Sequence, residues 1–151
     1  MKKYPIVIAI DGTSASGKST NAKLVAKALG YVYVDTGAMY RTLAWHCLQK
    51  RVNVDEEKAV AAACRRWKTS LECVEKDGLR SVRLLADGYF PEAEIRTPET
   101  AAAVSNVAAV PYVRKWMKKT QRDHQRRDGA LAVALVARGQ VFVHAVGGPA
   151  T

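Results

Sequence analysis

The spacing of apolar residues in the first part of the chain predicts two strands with a helix between them. Residues 5–10 and 31–34 form short runs without a polar face, which is typical of parallel strands that are covered on both sides. The helical spacing over 18–29 predicts the connecting helix, and Gly30 is suited to its C-terminal cap. The predicted buried stripe of this helix consists of Leu24, Val25, Ala28 and Leu29. We expect the resulting βαβ unit to be right-handed.

The pattern continues with two more helices. Thr36 is a suitable N-cap for a helix over 37–49. The predicted core side chains of that helix, spaced four residues apart, are Met39, Leu43 and Cys47. Asn53 and Glu56 form a capping-box pattern. The next helix is therefore predicted to begin there and to end near residue 67.

A hairpin is predicted between residues 70 and 86. Apolar residues at both ends of this stretch flank Asp77-Gly78, which is the strongest short turn signal in the chain. We interpret the hairpin as part of a small antiparallel insertion that covers residues 53–97.

The remaining pattern predicts two helices and a strand. One helix is predicted to start with Thr97 as its N-cap and Pro98 as its first residue. The residues of this helix predicted to face inward are Ala101, Val104 and Ala108. Pro111 starts the other, which should end near residue 127, with this apolar stripe: Val113, Trp116 and Met117. Residues 130–137 are typical of a third buried strand.

Composition and charge narrow the possible partners. The chain has 151 residues, of which 48% are hydrophobic, enough for one domain with a core. Its net charge of +10 favours polyanionic partners such as nucleotides or nucleic acid. Residues 112–127 hold seven Lys or Arg against one Asp, but no aromatic platform is interleaved with them. We therefore predict no nucleic-acid partner.

The cysteines and the absence of long apolar runs bear on location. Cys47, Cys64 and Cys73 are an odd number without metal-site spacing, which indicates buried free thiols in a reducing compartment. No run of apolar residues reaches the length of a membrane span. We therefore expect a cytoplasmic protein without a membrane partner.

A phosphate-binding loop is predicted between the first strand and the first helix. It consists of Gly12, Thr13, Ser14, Ala15, Ser16, Gly17, Lys18, Ser19 and Thr20. The glycines allow backbone N–H groups to turn towards an anion, and the helix that follows adds the positive end of its dipole. Lys18 is placed to reach the terminal phosphates, and the Ser19 hydroxyl can ligate Mg²⁺. This spacing and context predict a bound triphosphate.

A second group of polar residues follows the second strand. Asp35 and Thr36 lie at its carboxyl end, where open parallel sheets bind ligands. Arg41 lies off the apolar face of the next helix. Position alone leaves two interpretations of Arg41 open, and it favours an exposed helix charge over a ligand.

These motifs resemble the bacterial cytidylate kinase family. The resemblance rests on the loop at 12–20, on the block from Gly30 to Arg41 (GYVYVDTGAMYR), and on two later blocks, EIRTPE at 94–99 and VSNVAAVPYVR at 104–114. It extends to about residue 125. It implies a three-layer α/β/α fold of the P-loop NTPase type, with a parallel sheet and an antiparallel monophosphate-binding insertion, in one monomeric domain over 1–151.

The resemblance also implies a function and roles for residues. The family transfers the γ-phosphoryl group of ATP to CMP or dCMP in pyrimidine nucleotide metabolism, with Mg²⁺. Lys18 and Arg41 would be catalytic, and Arg41 would hold the acceptor phosphate, which overturns its interpretation as an exposed charge. The predicted substrate-binding residues are Asp35, Thr36, Tyr40, Arg41, Ser105 and Arg114. No catalytic histidine is implied, so His46, His124 and His144 are interpreted as ordinary core or surface residues.

The final stretch departs from the family. Residues 129–151 contain no Asp or Glu, and the family's further strands and arginine-rich lid are not recognisable in them. We therefore expect a parallel sheet of three strands at most, with one side of the central strand unpaired. We also expect poor nucleotide binding and slow or absent phosphoryl transfer. Two alternatives stay open: a nucleotide-binding remnant of the family, and a P-loop kinase for another small acceptor, which Ser105 and Arg114 disfavour.

Overall fold

The computed structural model describes residues 7–10, 17–128 and 132–135, and it has an α/β architecture with a mixed sheet. The elements are β1 (Val7–Ile10), α1 (Lys18–Leu29), β2 (Val32–Asp35), α2 (Thr36–Gln49), α3 (Glu57–Arg66), β3 (Thr69–Lys76), β4 (Leu79–Ala86), a 3₁₀ helix (Glu94–Arg96), α4 (Pro98–Ala109), α5 (Pro111–Asp128) and β5 (Ala132–Leu135). No helix in these ranges is both long and apolar enough to cross a membrane.

The sheet has five strands in the order β1-β5-β2-β4-β3. β5 pairs in parallel with both β1 and β2, and Val133 lies opposite Ile8 on one side and Tyr33 on the other. β4 pairs in parallel with β2, with Ser81 opposite Tyr33. The prediction of three parallel strands at most is therefore wrong, because the second strand of the hairpin joins the main sheet. Both β5 and β2 are paired on both sides.

The hairpin itself is confirmed. β3 and β4 are joined by the two-residue turn Asp77-Gly78, whose φ angles are 54° and 78°. Positive φ at both central residues is the requirement of a type I′ turn, which matches the twist of antiparallel strands. The Asp77-Gly78 sequence therefore predicted the hairpin correctly. No local feature of the sequence indicated that β4 pairs with the distant β2.

α1 packs on the sheet through small residues. Ala22 and Ala26 are fully buried and form a cluster with Tyr33 of β2, while Val25 is packed against its edge. The predicted stripe is wrong for three of its members, which are exposed: Leu24, Ala28 and Leu29. Alanines spaced four residues apart let the helix lie close to a sheet that carries a large tyrosine ring, so the smaller side chains face inward.

The end of α1 is built as predicted. Gly30 has φ 69°, and its N–H donates to the Lys27 carbonyl while the Tyr31 N–H donates to the Ala26 carbonyl. These two bonds form a Schellman motif, for which glycine is the favoured residue because a Cβ is strained at positive φ. Arg80 of β4 donates to the Gly30 carbonyl at 2.7 Å.

The predicted start of α4 is confirmed, and the predicted start of α3 is wrong. Thr97 caps α4 by accepting the Thr100 N–H, and Pro98 is the first helical residue, as expected. α3 begins only at Glu57, because Asn53 accepts the Asp55 N–H in a turn that precedes the helix.

The buried positions of α2 and α5 agree with the sequence better than those of α4. The predicted core residues of α2 are buried: Met39, Leu43 and Cys47. In α5, Val113 and Met117 are fully buried and Trp116 is half-buried. In α4 the buried residues are Thr100, Ala103 and Val107, whereas Ala101 is exposed. All three cysteines are free thiols, but Cys73 is exposed, so the prediction of burial is wrong for it.

Packing divides the chain into two compact units. One comprises Met1–Thr36, Cys73–Val82 and Lys118–Thr151, and the other Gly37–Glu72 and Arg83–Met117. The prediction of one domain with an insertion over 53–97 stays a prediction.

Candidate active site

The beginning of α1 provides an open helix N-terminus. Gly17 is its N-cap, with φ 78°, and the Gly17 carbonyl accepts the Asn21 N–H at 2.9 Å. Within the described part of the chain, no side chain caps this helix and its first turn holds no acidic residue. The first N–H groups of a helix have no partner within it, so these groups and the helix dipole favour an anion at this end. The predicted loop residues Gly12, Thr13, Ser14, Ala15 and Ser16 lie outside the described residues.

Three predicted phosphate-binding residues form the first turn of α1. Lys18 is its first residue, and the side chains of Ser19 and Thr20 are exposed. The Ser19 hydroxyl oxygen lies 3.5 Å from that of Tyr33, which belongs to β2. The start of α1 therefore lies beside β2.

The end of β2 passes into α2 without a loop. Asp35 is the last residue of β2 and is half-buried, and it lies opposite Leu135 of β5. Thr36, which was predicted as an N-cap, is the first residue of α2 and is fully buried. Both lie at the carboxyl end of a parallel strand, as predicted.

Two of the residues predicted to bind the acceptor, one on α2 and one on α5, influence each other electrostatically. Tyr40 of α2 is 2% exposed, and burial raises the pKa of its hydroxyl far above the ordinary value of 10.0. The positive charge of Arg114 of α5 acts in the opposite direction and lowers the pKa of Tyr40. Tyr40 therefore keeps its proton at neutral pH, because the effect of burial on its pKa exceeds that of the Arg114 charge.

The remaining predicted residues of the acceptor site lie on α2, α4 and α5. Arg41 follows Tyr40 on α2 and is half-buried, so it is not simply an exposed helix charge. Ser105 lies on the exposed side of α4, and Arg114 lies in the first turn of α5. The Arg114 N–H donates to the carbonyl of Val110, the residue that joins the two helices.

The predicted residues thus fall into two groups. The described residues predicted for ATP (17–20), together with Asp35 and Thr36, belong to the first compact unit. The second unit contains Tyr40, Arg41, Ser105 and Arg114. Among residues 7–10, 17–128 and 132–135, no three His, Cys, Asp or Glu side chains gather in a way that could hold a metal ion. An Mg²⁺ ion that is bound mainly through nucleotide phosphates needs only one or two protein oxygens, and the exposed Ser19 hydroxyl fits that role.

Comparison with known proteins identifies the family. The model of the family described as cytidylate kinase matches residues 8–145. The chain belongs to the cytidylate kinase family.

Several curated members of the cytidylate kinase family are similar to this chain. The cytidylate kinase of Cytophaga hutchinsonii is 43% identical over 131 residues, which cover 87% of this chain and 54% of that protein. That of Lactiplantibacillus plantarum is 41% identical over 129 residues, covering 85% and 55%. That of Symbiobacterium thermophilum is 42% identical over 141 residues, covering 93% and 61%. The chain thus spans little more than half the length of these relatives.

Sequence reasoning missed a group of rings in this member of the cytidylate kinase family. We call these rings the aromatic cluster, which consists of His46 of α2, Trp67 at the end of α3 and Trp116 of α5. The Trp67 ring lies 5.4 Å from that of Trp116 and 6.5 Å from that of His46, edge to face in both cases. The residues are far apart in the sequence, so no spacing rule could have indicated their contact.

His46 is also surrounded by charges. Its Nδ1 atom lies 4.0 Å from an Asp87 carboxylate oxygen, which in turn lies 3.6 Å from the Lys50 ammonium. Burial lowers the pKa of His46, the Asp87 charge raises it, and the Lys50 charge lowers it, with a net decrease. The interpretation of His46 as a core histidine is in agreement with its 6% exposure.

Proposed function

We propose that this chain binds ATP and CMP or dCMP and transfers the γ-phosphoryl group of ATP to the monophosphate, giving ADP and CDP or dCDP. The observation that carries the proposal is the electrostatic influence of Arg114 on the buried Tyr40, since the two residues come from the two sequence blocks predicted to form the acceptor site. Membership of the cytidylate kinase family supports the same reaction. A three-layer P-loop arrangement of the sheet and helices is part of the proposal.

The donor side would work by charge and position. The N–H groups of residues 12–20 and the open end of α1 would bind the phosphates of ATP, and Lys18 would neutralise charge on the transferred group. Mg²⁺ would supply further charge neutralisation at the β- and γ-phosphates, with Ser19 as its protein ligand. Because the transition state of phosphoryl transfer is loose, no protein nucleophile is required.

The acceptor side would bind both ends of CMP, namely its phosphate and its cytosine base. Arg41 would hold the phosphate, because a guanidinium matches two phosphate oxygens at once. Asp35, Thr36 and the protonated Tyr40 would line that side of the site. At the other end, the guanidinium N–H donors of Arg114 match the O2 and N3 acceptors of cytosine. The Ser105 hydroxyl can accept a hydrogen bond from the amino group of cytosine. Uracil presents an N–H at N3, so it would leave a donor of Arg114 unpaired.

The base-specificity test uses calorimetric titration of the 151-residue chain with CMP, dCMP, UMP and AMP. We expect CMP and dCMP to bind more tightly than UMP and AMP. Arg114→Met should weaken CMP binding about tenfold or more, since a charge-assisted hydrogen bond contributes about 1.5–3 kcal/mol. Lys115→Met is the matched control, because it removes the same charge from the adjacent, exposed position on α5. Tighter binding of AMP, or equal losses in both variants, would contradict the proposal.

The transfer step is tested by ADP release in the presence of ATP, Mg²⁺ and CMP. Lys18→Ala should abolish CMP-dependent ADP release, whereas Lys27→Ala, near the other end of α1, should leave it unchanged. If CMP binds and no ADP is released by the parent chain, these residues bind the acceptor but do not suffice for transfer, which is the nucleotide-binding alternative.

We further infer that the protein is a cytoplasmic monomer without membrane or nucleic-acid partners. The support for this is the free state of all three thiols and the small size of the two nucleotide substrates. Sedimentation at micromolar concentration, with and without CMP, tests the monomer, and a stable dimer would contradict it.

A further inference from the structure

We propose that Trp67 is a positioning residue that sets the spacing between α2 and α5 and thereby the affinity for CMP, an inference that rests on the proposed function. Trp67 contacts both helices that carry predicted acceptor residues. Its ring makes one edge-to-face contact with His46 of α2 and another with Trp116 of α5. None of these three residues is among those predicted to bind a ligand.

Two interactions connect the two helices along their length. The charge of Arg114 acts on Tyr40 near the start of each helix, and Trp67 bridges His46 and Trp116 farther along both. On α2, His46 follows Tyr40 by six residues, or about 9 Å of helix axis. Helices behave as rods over such distances, so a change of spacing at the cluster is transmitted to the Tyr40–Arg114 pair.

The C-terminal end of α3 holds one side of α5. Arg65 stacks on the Tyr112 ring at 4.7 Å, and Trp67 packs on Trp116 one helical turn later. Arg114 lies between these two positions in the sequence and therefore projects from the opposite side of α5, since each residue turns the helix by about 100°. The contacts of α3 with Tyr112 and Trp116 therefore fix the rotation of α5 about its axis, and with it the direction of the Arg114 side chain.

The backbone and burial at Trp67 suit a fixed spacer. Trp67 is the C-cap of α3, in an extended conformation, and its N–H donates to the Cys64 carbonyl. Its indole N–H is buried, and within the described ranges it has no hydrogen-bond acceptor. The ring therefore acts through its shape, and a phenylalanine can replace that function without leaving a buried donor unpaired.

The binding arm of the experiment compares three variants by titration with CMP. Trp67→Ala should raise the Kd for CMP about tenfold or more, because a shift of the acceptor groups by about 1 Å is costly to binding and catalysis. Trp67→Phe should bind as the parent does. Val60→Ala controls for lost stability, since it removes buried apolar atoms from α3 outside the aromatic cluster. A parent-like Kd for Trp67→Ala, or a Val60→Ala loss as large as that of Trp67→Ala, would overturn the proposal.

A second arm does not depend on CMP. Spin labels at Gln49→Cys and Lys115→Cys, in a Cys73→Ser background, report the distance between α2 and α5 by pulsed electron resonance; both labelled positions are exposed. We expect the same narrow distance distribution in the parent and in Trp67→Phe, and a shifted or broadened one in Trp67→Ala. An unchanged distribution in Trp67→Ala would refute the positioning role. A changed distribution in a chain that does not bind CMP would refute the proposed function alone.

Discussion

The cap of α4 makes a quantitative prediction about stability. Thr97→Val keeps the shape of the side chain but removes its hydroxyl. That hydroxyl accepts the Thr100 N–H at 3.3 Å and donates to the Glu94 carbonyl at 3.0 Å. Thr100 is 1% exposed, so water cannot replace the lost acceptor. The loss of an N-cap costs about 1–2 kcal/mol, and so does the loss of the acceptor of a buried N–H group. These two costs are not added, because they refer largely to the same hydrogen bonds.

We therefore expect Thr97→Val to lower the free energy of unfolding by about 1–2 kcal/mol, which corresponds to about 2–8 °C in Tm for a chain of this size. Thr97→Ser is the matched control, because it keeps the hydroxyl and loses only a methyl group on a half-buried side chain. Denaturant titration and calorimetry of both variants give the comparison. If Thr97→Val is as stable as Thr97→Ser, the cap does not stabilise the protein and the reasoning fails.

Three further predictions follow from burial and backbone geometry. Ellman's reagent should modify only Cys73 rapidly in the folded protein, since burial raises the pKa of Cys47 to about 11 and that of Cys64 to about 12; rapid modification of all three thiols would contradict this. Because the pKa of His46 is lowered in the folded state, its contribution to stability is full above pH 6.5 and decreases as the pH falls towards the folded pKa. Unfolding of His46→Gln at pH 7.5 and 5.5 should therefore show a smaller pH dependence than the parent, and an equal dependence would exclude His46 as its source. Gly30→Ala should cost about 1–2 kcal/mol from backbone strain alone, since φ is 69° and no atom lies within 4 Å of the added Cβ; Gly30→Asn should cost less, and equal stability of all three proteins would contradict the strain.

Local chemistry was sufficient to predict most element boundaries. Gly30, Thr97, Pro98 and Pro111 mark helix ends because each residue's own geometry or hydrogen bonding favours that position, and the structure places all four there. Asn53 shows the limit of such signals. The same side chain that can cap a helix can also bond within a turn, and here it does the latter.

Packing between distant elements was not predictable. The buried face of α1 depends on the Tyr33 ring opposite it, so Ala22 and Ala26 are buried where Leu24 had the stronger hydrophobic signal. The parallel pairing of β4 with β2 depends likewise on a partner far away in the chain.

The candidate site divides in the same way. The residues at 35–41 and 105–114 could be named because each group lies in a short block with a recognisable sequence. The aromatic cluster could not, because its three members are joined only by the fold. The roles of the named residues stay predictions that the titrations above test.

The position of β5 has a consequence for synthesis. Ile8 of β1 pairs with Val133 of β5, and the two are separated by 133 − 8 = 125 residues. A ribosome that adds about 5–20 residues per second needs about 6–25 s to make that segment. During this time β1 and β2 both lack the neighbour that joins them, so their strand edges are open to other chains. Interruption of synthesis just before residue 132 should therefore yield a nascent chain that depends on chaperones to stay unaggregated.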